Sequence, residues 1–376
     1  MKIPLCKIYV DNDELDSVKE VFDSGWLAHG PKNKELEEKF SKEIGTKYAS
    51  CVNSCASALQ TAIMANNLKG EIILPSFTFA ASANAIIHAG CIPIFADINP
   101  VTFNIDPEDI ERKISKKTVA IMPVHYAGLI CDMEKIMKIS EKYNLKIIED
   151  SAECIGAEIN GKKAGSFGIG CFSFYPTKNI TTGEGGMITF DDEELMIKIN
   201  SIKSHGLIKP TFERETDGKK WYRDAITPGF NFRMSDINAA IGISQMKKLE
   251  RANSLRREHA MYLNKNLQKE VKDYIDVPIV NDIKTHVYQM YVIKVKEESK
   301  RDLLLDYLND NGIGASVHFE PPVHMQTYYK NNFPSKLPVT EKICKQVITL
   351  PMFPDLKEEE LNYIIIKIKE FFENDN

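Results

Sequence analysis

Through the middle of the chain, short continuous apolar blocks alternate with stretches whose apolar positions recur at helical spacing. The blocks are EIILPS from Glu71, IPIFADI from Ile92, VAIMPVH from Val119 and LKIIEDS from Leu145. Helical patterns separate them: one through ANAIIHAG from Ala83, one near 107–115 and one from about Met133. This rhythm predicts a largely parallel α/β sheet. Several of the strands end in small or polar residues, at Pro75 and Ser76, Asp97, His125 and Asp150. In open α/β sheets, ligands bind beyond the carboxyl ends of the strands.

After Asp150 the blocks shorten. CFSFY from Cys171 and GGMITF from Gly185 read as strands framing a lysine, and TFERETDGKKWYRD from Thr211 reads as an exposed loop. From Met234 to about Gln268 the spacing suits one long helix with a charged far half, a natural bridge between domains. Beyond it, HVYQMYVIKV from His286 alternates as a strand and RDLLLDYLND from Arg301 is helical. ASVHFE from Ala315 reads as a strand and LNYIIIKIKEFFEN from Leu361 as a final helix. The expected fold is therefore an α/β domain over 1–245, its mostly parallel sheet flanked by helices, with a smaller α+β domain over 246–376.

Composition narrows the function. The chain of 376 residues carries a formal net charge of -5, which offers no basic footprint for nucleic acid. No segment approaches the roughly 20 apolar residues that span a bilayer. The amino terminus, broken by Lys7 and followed by acids, lacks the form of a signal peptide, so a cytoplasmic protein acting on small molecules is expected. Its eight cysteines contain no CxxC pair, and most of them read as reduced core residues. His318 and Glu320 imitate half of a deaminase zinc site, but no PCxxC follows and no metal is expected.

The lysine in SFYPTKNITTGEGG carries the chemical argument. A lone loop lysine is ordinarily a solvated charge. Lys178, however, follows an aromatic strand and precedes Gly183, Gly185 and Gly186, a frame that sets an amine against an apolar wall. A desolvated lysine is a nucleophile able to form a Schiff base. Service to pyridoxal phosphate would further need an acid for the pyridine nitrogen, donors for the phosphate and a group to lie on the ring. Asp150 at the end of its strand, the small polar residues from Asn53 to Ser57 at a helix start, and Phe77 or Phe79 supply candidates. Taken singly, each has an ordinary alternative, as a turn residue, an N-cap or a core aromatic.

In this order the residues resemble the DegT/DnrJ/EryC1/StrS family of pyridoxal-phosphate-dependent sugar aminotransferases, within the fold-type I enzymes. The resemblance runs nearly the whole length, through Gly30-Pro31, LPSFTFAASANAI, PVHYAGLICDM, EDSAECIGA, FSFYPTKNITTGEGGMI, SHG at 204–206 and PGFNFRMSDINAAIGISQ. It implies that Lys178 carries the cofactor, Asp150 partners the pyridinium nitrogen, and Ser173, Ser54, Cys55 and Ala56 hold the phosphate. Phe79 would stack on the ring, and Asn231 would reach the phosphate of a neighbouring subunit in a homodimer with shared sites. Glu153 stands where many relatives carry His or Gln beside the ring hydroxyl. The resemblance also implies L-glutamate as donor and a nucleotide-linked keto-deoxyhexose as acceptor, 4-keto ahead of 3-keto. His125, His205, His318 and His324 are candidate substrate ligands, the last two within HFEPPVHMQTYY.

Three rival readings remain. Another fold-type I reaction, a lyase or a desulfurase, is one, and for the desulfurase the candidate nucleophile is Cys344 in TEKICKQV. A nicotinamide enzyme would need a GxGxxG after its first strand, and none is present. A cofactor-binding regulator would share the site and lack turnover.

Overall fold

The computed structural model describes residues 1–207, 221 and 223–374. Of the segment expected as a polar loop at 211–224, all but Trp221, Arg223 and Asp224 lies outside the described residues.

Nine of the described strands precede the long helix: β1 Tyr48–Val52, β2 Glu71–Pro75, β3 Ile92–Ala96, β4 Thr118–Ile121, β5 Lys146–Asp150, the short hairpin of β6 Glu158–Ile159 and β7 Lys162–Lys163, β8 Ile169–Ser173 and β9 Gly186–Phe190. Seven of these form one sheet in the order β1-β9-β8-β5-β4-β2-β3. β9 runs antiparallel to both of its neighbours, and every other pairing in the sheet is parallel. The strand interiors are largely apolar because both faces of the sheet are covered. Ile72, Leu74, Ile148 and Cys171 face one core with residues of the helices Cys55–Ala65 and Ala80–His88, while Ile73, Ile121 and Ile147 face another with Ile110 and Ile136. Near β1 and β9, the second face is closed by Leu36 and Phe40 together with Ala239 and Ile243.

The long helix is Asp236–Val271, 36 residues capped by the Ser235 hydroxyl, which accepts the Asn238 N–H. At 1.5 Å per residue it is about 54 Å long, and it contributes to two cores. Ala239 and Ile243 pack beside the large sheet, whereas Ala260, Leu263 and Leu267 pack against a second sheet. That sheet orders β10 Ile275–Asp276, β11 Tyr291–Val295 and β12 Val347–Leu350, all antiparallel. The helices Glu298–Asp310 and Glu358–Asn374 cover it. No helix among the described residues is long and apolar enough to cross a membrane.

Two strand expectations change. Only the second half of HVYQMYVIKV is a strand; ahead of it Tyr288 adopts a φ of 46°, and the Val287 N–H goes to the Gly128 carbonyl at 3.0 Å. ASVHFE forms no strand. Ser316 makes one isolated bridge to Thr349, and the His318 carbonyl accepts the Tyr126 hydroxyl instead of a strand partner. The peptide bonds His318-Phe319 and Glu320-Pro321 are cis.

The turn before β11 holds a buried histidine whose titration should make the fold sensitive to acid. His286 is buried, stacks on Tyr288 with ring centroids 3.8 Å apart, and accepts the Tyr288 N–H at Nδ1. Burial, with a smaller push from Arg257, lowers its pKa to about 3. The unfolded chain titrates near 6.5 and so binds the proton first as pH falls. This histidine's contribution is whole above that value and is lost progressively toward about 3, at about 1.4 kcal/mol per pH unit. Thermal melts of wild type should drop between pH 6.5 and 5, and His286→Asn should flatten that slope. Equal slopes in the two proteins would remove the histidine as the cause.

Candidate active site

The lysine loop is built around Phe174. Its N–H donates to the Gly185 carbonyl, and its own carbonyl accepts both the Thr182 N–H and the Thr181 hydroxyl, each at 3.0 Å. The chain thus leaves β8, turns through Lys178 and returns as β9. A Cβ on Gly186 would lie 2.5 Å from the Ser54 carbonyl carbon. Only glycine lets β9 lie so close to the start of the helix Cys55–Ala65.

That helix start faces the lysine across one cavity of about 640 Å³ lined by Ser54, Cys55, Ala56, Ser173 and Lys178 among others. The Ser54 hydroxyl caps the helix by accepting the Ser57 N–H at 3.1 Å. The leading N–H groups of a helix have no intrahelical acceptor and point toward any anion beyond its end. Ser173 is buried at the end of β8, and its hydroxyl accepts the Tyr175 N–H at 3.3 Å.

Asp150 closes the cavity at the carboxyl end of β5. One carboxylate oxygen accepts the Ser82 hydroxyl at 2.7 Å, and the other accepts the Ala152 N–H at 3.2 Å with the Cys55 thiol 3.9 Å away. Burial pushes its pKa up, and the Ser82 hydrogen bond offsets part of that. A buried carboxylate in this condition lacks a full countercharge, and a protonated ring nitrogen would supply one. The donor set of the cavity therefore fits pyridoxal phosphate: an amine, an acid short of a cation, and an open helix end.

Glu153 lies beside the lysine. Its Oε1 is 3.2 Å from Lys178 Nζ and its Oε2 accepts the Ala127 N–H at 2.8 Å, on a residue held at a φ of 57°. The two candidate phenylalanines part company. Phe77 is 1% exposed and packs on Tyr126, whereas Phe79 is 66% exposed and lines the cavity.

The histidines separate as well. His318 lines the cavity, with Nδ1 2.9 Å from the Thr349 hydroxyl, and burial lowers its pKa. His125 lies outside the cavity, completely buried, with both ring nitrogens engaged by Glu149 and the Cys131 N–H. His324 is likewise buried outside it, between Ser76 and Glu341. His205 and Asn231 are exposed and outside this chain's own cavity. Cys344 is buried at the end of the helix Pro338–Ile343, its thiol pushed to about 11 by burial, and does not line the cavity. Cys6, Gln289 and Thr349, distant in sequence from the lysine, do line it. No motif marks them, since they arrive through the packing of the second sheet.

An amine and a carboxylate at neighbouring strand ends of a mostly parallel seven-stranded sheet, with a helix opening between them, place this protein among the fold-type I aminotransferases. The sequence pattern of the DegT/DnrJ/EryC1/StrS aminotransferase family matches residues 9–369, and the chain belongs to that family. It is 35% identical over 378 aligned positions to the spore coat polysaccharide biosynthesis protein SpsC of Bacillus subtilis, covering 98% of this chain and 96% of SpsC. Its fold is similar to that of Helicobacter pylori PseC, an aminotransferase involved in the biosynthesis of pseudoaminic acid, with a TM-score of 0.92 and 30% identity over the whole of both chains. It is similar also to Bacillus subtilis NtdA with bound cofactor PMP, with a TM-score of 0.88 and 32% identity over 99% of this chain and 85% of NtdA.

Proposed function

We propose that this aminotransferase moves an amino group from L-glutamate to a nucleotide-linked keto-deoxyhexose, at a 4-keto rather than a 3-keto position. The observation that carries the reading is the convergence of Lys178, Asp150 and the helix opening at Ser54 in one cavity. Sugar-modifying relatives support the acceptor class: PseC in pseudoaminic acid biosynthesis and SpsC in spore coat polysaccharide biosynthesis.

Pyridoxal phosphate is the cofactor, as the PMP bound to NtdA supports. Lys178 Nζ would hold it, with its phosphate at the N–H groups of Cys55 and Ala56 and the hydroxyls of Ser54 and Ser173. Asp150 would face the ring nitrogen, Glu153 the ring hydroxyl and Phe79 the ring face. When bound, the cofactor supplies an electron sink for the pair left on carbon as a proton departs. Lys178, once its amine is free, is the base that takes the proton from the donor's α-carbon and returns it on the far side of the transfer. Asp150 keeps the ring nitrogen protonated throughout. His318, which lines the cavity, would contact the acceptor.

The test is a panel of UDP-, GDP- and dTDP-linked keto-sugars with glutamate, following 2-oxoglutarate release. Release with one of them supports the reading; none, from a protein that binds cofactor, favours the regulator. The desulfurase alternative loses its candidate nucleophile, since Cys344 stands outside the cavity.

Asn231 is exposed and does not line its own chain's cavity, which suits a residue serving a second copy's phosphate. Mixed dimers of Lys178→Ala and Asn231→Ala chains then hold one site with both defects and one intact. Random re-association should restore about a quarter of wild-type activity. No recovery, although both chains fold and exchange, would show that each subunit builds its site alone.

A further inference from the structure

We propose that Glu149 is a positioning residue for the transamination reaction: its carboxylate holds in place the three segments that present Asp150, Glu153 and the lysine strand. The inference rests on the functional reading above. Glu149 precedes Asp150 on β5, so its side chain projects to the opposite side of the strand. It is completely buried and does not line the cavity. Oε1 accepts the N–H groups of Phe167 and Gly168 at 2.8 and 2.9 Å. Oε2 accepts the Gly165 N–H at 2.8 Å and lies 3.1 Å from His125 Nε2. His125 Nδ1 accepts the Cys131 N–H, so the ring proton sits on Nε2 and is donated to Glu149. A carboxylate has about four acceptor positions, and here all are filled, which is what makes a buried charge tolerable.

Each donor belongs to a segment of the site. The turn from Gly165 to Gly168 leads directly into β8, which ends at Ser173 ahead of Lys178. The His125 N–H donates to the Asp150 carbonyl at 3.1 Å, and Ala127, two residues on, gives its N–H to Glu153. One side chain therefore ties β5, the approach to β8 and the turn that orients Glu153.

Glu149→Gln preserves the shape but replaces one oxygen by an NH₂ group, which opposes two N–H donors whichever way the amide lies. In the cofactor-free protein, amide exchange across residues 165–168 should accelerate. In the loaded enzyme, kcat should fall about tenfold while KM for glutamate stays within about twofold. The visible circular dichroism per bound cofactor should change, because it reports ring orientation. His125→Leu should reproduce these effects, and His125→Gln, which keeps a donor, should stay near wild type. Faster exchange with wild-type kcat and dichroism would make Glu149 a stability residue only and overturn the proposal, as would unchanged exchange. Should Glu149→Gln fail to fold, the His125 pair decides: identical behaviour of the Leu and Gln variants overturns it. Exchange is read without cofactor, so a wild-type protein inactive on every sugar would sink the functional reading while leaving that arm intact.

Discussion

Lys178→Ala is expected to abolish transamination, with a loss of at least about 10⁴-fold. On the proposed mechanism the side chain has two tasks, holding the cofactor and moving the donor's α-proton, and among the described residues lining the cavity there is no second lysine to take over either. Among described contacts its Nζ makes one ion pair, to Glu153 at 3.2 Å, and Glu153 keeps its second anchor on the Ala127 N–H. The fold should therefore survive, with far-ultraviolet circular dichroism matching wild type. The visible band of bound cofactor should disappear, and 2-oxoglutarate release should fall to background. Normal transamination by this variant would remove Lys178 from the mechanism altogether.

The second large effect belongs to Asp150→Asn, which should raise the barrier by about 4 kcal/mol, close to a thousandfold in kcat. Without the carboxylate the ring nitrogen loses its proton and the electron sink fails. Stability should move the other way. In the cofactor-free protein, burial holds the Asp150 pKa above its unfolded value. Such an acid favours folding while protonated, and that advantage is lost as pH rises through the folded value. At neutral pH a neutral asparagine removes this penalty, so the melting temperature of the cofactor-free variant should equal or exceed that of wild type. Asp150→Glu should retain part of the activity. A kcat for Asp150→Asn within about tenfold of wild type, or about 1.4 kcal/mol, would reduce the aspartate to a structural residue.

The large sheet was legible because its parallel strands are buried on both faces and stand out as unbroken apolar blocks; Ile72 and Leu74 serve one core while Ile73 serves the other. The long helix was legible for a similar reason, since its spacing persists through both cores. Periodicity failed where backbone groups find partners outside a ladder. Val287 bonds to Gly128, and His318 receives the Tyr126 hydroxyl, so two apparently alternating segments are not full strands. The helices Asn12–Ser24 and Pro31–Ile44 escaped notice although Asp11 and Glu14 form a capping box and Pro31 opens the second. At the site, motif residues such as Asp150 and Lys178 could be named because strand ends and glycine loops mark them. His125 could not be told from a substrate ligand, because nothing in its sequence neighbourhood shows that Glu149 and Cys131 occupy its ring. Phe77 and Phe79 carry the same letter on the same segment, and only packing decides which one reaches the cavity.

The close approach of Gly186 to the Ser54 peptide bears on how this enzyme could diversify. A single added methyl group there would strike backbone, 2.5 Å away, and backbone cannot rotate aside as a side chain can. Position 186 is thus closed to any residue larger than glycine. Tyr175 and Glu184, by contrast, line the cavity and are exposed, and neither is assigned a cofactor contact. Laboratory evolution toward a bulkier or differently charged sugar should accordingly accumulate changes at those two positions, with Gly186 retained in every active descendant.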